Sequence, residues 1–194
     1  MSLTNNDVQL YYEVTGSGVP VVFVHEFAGE HTSWTNQVEY FSKKFQVITF
    51  NARGYPPSDV PESEKSYSQD IAVQDILSIL DELNIEKAHI VGLSMGGYAT
   101  LLFGIQFPER CLSITVAGVG YGSTKDRSNF EKDAEHVANR ILQEGIEKFG
   151  DIYTVSATRV QLQNKDRKAW EEFKRLFQNS SSLGHANTML GVQR

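Results

Sequence analysis

Cysteine is nearly absent: Cys111 stands alone in 194 residues. A lone thiol excludes an intrachain disulfide and suits a reducing compartment, so a cytoplasmic location is expected. No apolar run approaches the ~18 residues that a membrane helix needs. The first residues lack the basic, apolar and small-residue pattern of a secretory signal. Lys and Arg number 18 against 24 Asp and Glu, a net charge of −6, and form no cluster. Neither nucleic acid nor a membrane is therefore expected as a partner. His25, His31 and His89 lack metal-ligand spacing and no cysteine pair exists, so no metal and no organic cofactor is expected.

What remains is ordinary globular composition, 40% hydrophobic and 22% charged. The charge is uneven. Residues 1–124 carry 6 Lys/Arg against 14 Asp/Glu, and residues 125–194 carry 12 against 10. Two regions follow: 1–124 as an α/β core and 125–194 as a helical cap.

In "VQLYYEV" at 8–14, Val8, Leu10, Tyr12 and Val14 alternate, which predicts one half-buried strand. "PVVFVH" at 20–25, "FQVITF" at 45–50, "KAHIVGL" at 87–93 and "LSITVAG" at 112–118 are short apolar runs. Such runs mark strands covered on both faces. Between them lie helical patterns. Residues 32–43 turn Trp34, Val38 and Phe41 inward. Ser66 and Gln69 have capping-box spacing, and the helix that follows turns Ala72, Ile76, Ile79, Leu80 and Leu83 inward. Residues 95–107 form a helix ended by Pro108. Strands alternating with helices predict a mostly parallel sheet with helices on both faces. After Gly122 only helical stripes appear: Phe130, Ala134, Val137 and Ile141, then Ala169, Phe173, Leu176 and Phe177.

Ser94 sits in "VGLSMGG", a G-x-S-x-G motif between a strand and a helix. A sharp turn there strains the serine backbone, and bulky neighbours would clash, so Gly92 and Gly96 leave room. The serine oxygen then stands exposed at the carboxyl end of the sheet, with a helix N-terminus behind it. The bland alternative is a small-residue turn used only for packing.

Four stretches in order, "VVFVHEFAG", "NARGYPPSD", "VGLSMGG" and "FPERCLSITVAG", span residues 21–118. Together they resemble the N-terminal part of an α/β-hydrolase of the soluble esterase and enol-lactonase kind. The resemblance implies that Ser94 attacks the carbonyl of a small carboxylic ester or lactone. It also implies that the backbone N–H groups of Phe27 and Met95 form the oxyanion hole. His25 matches the family histidine and is expected to be a structural hydrogen-bonding residue. Glu26 departs from the usual glycine. It lacks glycine's freedom at positive φ and brings a carboxyl near developing negative charge. Whether it tunes substrate choice or points away stays open. Asn51 replaces an acid in "NARGYPPSD", and Arg53 is expected to brace that loop. A serine at position 94 argues against the dehalogenase and epoxide hydrolase branches, which place Asp there.

A serine needs a base, and the base an orienting acid. The family order is Ser, then Asp or Glu, then His. Only His136 and His185 follow Ser94. His136 is offset from its helix's apolar stripe, and His185 is a weak replacement for the base. Asp126, the nearest acid, reads as a helix-start residue. The sequence is therefore expected to be truncated before the triad acid and His. The strand at 112–118 would then be an open edge, and homo-oligomerisation through that edge is expected. Alternatives are a C–C bond hydrolase or perhydrolase on the same scaffold, or an inactive small-ligand-binding protein.

Overall fold

The computed structural model describes residues 2–3, 8–120, 126–157 and 159–194. A short antiparallel pair, β1 (Ser2–Leu3) and β2 (Gln9–Leu10), stands beside a five-stranded sheet. That sheet contains β3 (Tyr12–Thr15), β4 (Val19–Val24), β5 (Phe45–Phe50), β6 (Ala88–Leu93) and β7 (Cys111–Ala117), in the order β3-β5-β4-β6-β7. Only β3 runs antiparallel, against β5; the other pairs are parallel. The crossovers are α1 (Thr35–Phe41), α2 (Gln69–Glu82) and α3 (Met95–Gln106).

Side-chain alternation divides the strands between two cores. Val22, Val24, Ile48, Phe50 and Ile90 face α2 and α3, packing on Ile76, Ile79, Leu80 and Phe103. Val21, Phe23 and Val47 face the other way onto Trp34, with Val38 and Phe41 of α1 packed against them. Each crossover thus covers one face of a sheet too apolar to leave bare.

Helix α2 starts two residues later than its capping box suggests. Its N-cap is Ser68, whose Oγ accepts the Ile71 N–H, while Ser63 caps a preceding 3-10 turn. The strand expected over 8–14 is split. Tyr11 turns its main chain to the loop that follows β5, donating to Ser58 Oγ and accepting from the Asn51 N–H. Val14 lies on the sheet's outer edge and is exposed.

The chain then becomes helical: α4 (Ser128–Glu144), α5 (Ile146–Tyr153), α6 (Val160–Lys165), α7 (Arg167–Gln178), α8 (Ser182–Thr188) and a π turn at Met189–Gln193. These helices pack over the carboxyl ends of the strands, where Ala138, Ile141, Phe149, Phe177 and Ala186 join Phe27, Tyr55 and Met95 in one buried cluster. The expected stripe on α7 is corrected by one position. Ala169 is exposed, and Trp170 is buried in its place, its Nε1–H donating to the Thr154 carbonyl at 2.8 Å. The expected boundary at 124/125 lies outside the described residues. Among those described, no helix is long and apolar enough to cross a membrane.

Candidate active site

Strand β6 ends at Leu93 and α3 begins at Met95, leaving Ser94 alone at the corner with φ 52° and ψ −115°. Left-handed φ at a residue bearing a Cβ is strained. The corner is tight because Gly92 and Gly96 lie against backbone. A Cβ on Gly92 would strike the Gly96 carbonyl, and one on Gly96 would strike the carbonyls of Val24 and His25. Ser94 is exposed, whereas Gly92, Met95, Gly96 and Gly97 are buried. It opens on a cavity of about 500 Å³ whose wall includes Met95, Tyr98, Val119, Arg127, Phe130 and Val192.

The loop after β4 carries Phe27. His25 is fully buried beneath it. Its Nδ1 lies 2.8 Å from the Glu26 carbonyl oxygen, and its Nε2 lies 3.0 Å from the Ala52 amide nitrogen. These partners assign the proton to Nδ1. Burial lowers the His25 pKa, so the ring is held neutral. The Glu26 carbonyl also accepts the Gly29 N–H at 3.0 Å. In a trans peptide the N–H points opposite the carbonyl, so these two bonds set the direction of the Phe27 N–H. Neither the Phe27 nor the Met95 N–H has an acceptor among the described residues. His25 is structural, as expected.

Glu26 does not take the positive φ that a glycine in its place would suit; Ala28 does, at 66°. The Glu26 carboxylate points toward the helices, and Arg159 Nη1 lies 3.2 Å from its Oε1. Arg53 braces the next loop with a buried two-pronged ion pair. Its Nε and Nη2 lie 2.7 and 2.5 Å from the Asp75 oxygens, and its Nη1 donates to the Ser66 carbonyl. Asn51 accepts from His31 through Oδ1 and donates to the Pro56 carbonyl through Nδ2, a bond that an aspartate could not make.

No histidine among the described residues lines the Ser94 cavity. His31 is bonded to Asn51, His89 to Ser113, and His136 is exposed on α4. His185 does not face the cleft. It is buried within α8 with Nδ1 2.9 Å from the Ser181 carbonyl oxygen, and its ring is wedged among Phe27, Tyr55 and Phe177. Burial lowers its pKa to about 4. Asp126 accepts the Ser128 N–H at 2.9 Å, the helix-start role expected for it. Trp170 and Phe177 are packing residues and do not line the cavity.

The chain matches the profile described as alpha/beta hydrolase fold over residues 19–187. The chain belongs to the α/β-hydrolase fold family. Among this family, 3-oxoadipate enol-lactonase 1 of Acinetobacter baylyi is 42% identical over 97 residues, 50% of this chain and 35% of the relative. Epoxide hydrolase 4 of Mus musculus is 29% identical over 116 residues, 59% of this chain and 32% of the relative. A thermophilic esterase from Thermogutta terrifontis shares the hydrolase fold with a TM-score of 0.87 at 22% identity, covering 100% of this chain and 71% of that one. The chain spans about a third to a half of the length of the curated relatives it matches.

Sequence reasoning missed Arg159. Its partner lies 133 residues away in the chain, and no local pattern links the two. Asp75 was missed for the same kind of reason: it is a charge on the buried side of α2, and only the fold brings Arg53 to it.

Proposed function

We propose that this α/β-hydrolase acts on a small carboxylic ester or lactone through an acyl-enzyme on Ser94. Residues 1–124 would form the core and 125–194 the cap. The observation that carries this reading is the exposed Ser94 at φ 52°, set between buried glycines at the mouth of the cavity. Attack by Ser94 Oγ turns the carbonyl oxygen into an oxyanion. The Phe27 and Met95 N–H groups would receive it, an effect of about 3 kcal/mol per donor. The N-terminus of α3 adds its partial positive charge. Among the relatives, the enol-lactonase and esterase names support an ester or lactone substrate. Serine rather than aspartate at the elbow argues against epoxide opening by this chain.

Among the described residues the cavity wall holds the Asp70 carboxylate, which accepts from Gln106 Nε2, and no histidine, so no base for Ser94 is assigned. That same observation favours one second reading, a small-ligand-binding protein without turnover. Strand β7, at the end of the sheet with no partner on its outer side among the described residues, would join a second copy.

Intact mass after fluorophosphonate treatment tests the assignment. With the base present, a single adduct that is lost in Ser94→Ala is expected. An adduct that persists in Ser94→Ala overturns Ser94 as nucleophile. Ligand binding without any adduct, retained in Ser94→Ala, favours the second reading.

A further inference from the structure

Arg159 precedes α6 and is largely buried. Its guanidinium is held between two rings, with its carbon 5.3 Å from the centre of Tyr153 and 5.0 Å from that of Phe173. Its Nε and Nη2 donate to the Tyr153 hydroxyl at 3.3 and 3.0 Å. The fork then reaches out of the cap. Nη1 lies 3.2 Å from Glu26 Oε1, and Nη2 lies 2.9 Å from the Phe27 carbonyl oxygen. The Phe27 ring completes the joint, edge-on to Tyr153 at 5.8 Å and to Phe177 at 6.4 Å.

We propose that Arg159 is a positioning residue: it latches the helical cap to the Phe27 loop and masks the Glu26 charge, so that the oxyanion donor is held only while the cap is seated. The proposal rests on the reading of Phe27 as a donor. Two physical reasons support it. The first is electrostatic. The Glu26 side chain is 12% exposed, and its Oε2 is buried without a partner. A buried carboxylate beside a developing oxyanion opposes it, and a paired one opposes it far less. Without Arg159, Glu26 would be driven toward water and would carry the adjoining peptide with it. The second is geometric. His25 and Gly29 hold the peptide before Phe27, and Arg159 holds the carbonyl of the peptide after it. Two consecutive peptide planes are thereby fixed, one from the core and one from the cap. A lysine could reach Glu26 or Phe27, but its single ammonium lacks the planar fork that spans both.

The test uses Arg159→Met, Arg159→Lys, Glu26→Gln and the double variant Glu26→Gln/Arg159→Met. Amide hydrogen exchange of the segment 24–30 reads the latch whether or not Ser94 reacts. In Arg159→Met that segment is expected to exchange at least tenfold faster, with β5 and α2 unchanged; equal exchange overturns the latch. Saturation kinetics of fluorophosphonate labelling reads the consequence. Arg159→Met is expected to lower the maximal labelling rate tenfold or more at unchanged half-saturation, Arg159→Lys to fall between, and the double variant to recover most of the loss. A double variant as slow as Arg159→Met overturns charge masking. Wild-type protein that takes no label overturns the reading of Ser94 as activated, and exchange alone then decides the latch.

Discussion

The Ser94 N–H donates to the Ala117 carbonyl across 2.8 Å. That bond ties the elbow to the last residue of β7 and keeps the Ser94 amide out of the cavity. It also helps hold a backbone that a side chain disfavours, since Ser94 sits at φ 52° and ψ −115°.

Strain at that corner can be measured. Glycine adopts positive φ without a Cβ clash, so Ser94→Gly is expected to raise stability by about 1 kcal/mol. Ser94→Ala keeps the Cβ and is expected to change stability little. Urea melts of the two variants side by side check this. Equal midpoints would mean that the elbow carries no strain.

Acid should weaken the fold through His185. Burial lowers its pKa to about 4, against about 6.5 in an unfolded chain. The unfolded state therefore binds the proton more readily. The stability is full above about 6.5 and is lost as pH falls toward 4, up to about 3 kcal/mol from this one group. His25, whose pKa burial also lowers, contributes with the same sign. In His185→Gln the melting temperature is expected to fall less steeply between neutral pH and pH 4. An unchanged slope would mean that His185 is not the titrating group.

The outer edge of β7, unpaired among the described residues, should associate. Leu112, Ile114 and Val116 are exposed at 47%, 37% and 37%, and no charge or proline interrupts Cys111–Ala117. Those are the devices by which edge strands avoid pairing. Wild-type protein is expected to sediment as more than a monomer at high concentration, and Leu112→Lys/Val116→Lys as a monomer. A wild-type monomer throughout would refute pairing between copies.

Much of the architecture was legible because its signals are local. The apolar runs at 45–50 and 87–93 matched β5 and β6 to within a residue, since a buried parallel strand must be apolar on both faces. The expected elbow lay where the strand signal met the helix signal. The errors differ in cause. Ser66 lost the N-cap to Ser68 through a local bond to the Ile71 N–H, whereas Val8–Val14 broke at Tyr11 because Ser58 and Asn51, distant in the chain, took its main-chain bonds. Ala169 was chosen over Trp170 because a stripe one residue off still has helical period, and only packing against Thr154 selects the buried member.

The sequence by itself determined the alternating α/β order, the position of Ser94 and the small residues around it. Each of these follows from sterics and burial within a few residues. The tertiary structure alone decided where Glu26 points, which histidines are spent on scaffolding, and that Arg159 meets the Phe27 carbonyl. Those are contacts between groups far apart in the chain. Their energy depends on a distance and a shared exclusion of water that exist only once the helices after β7 have packed on the sheet.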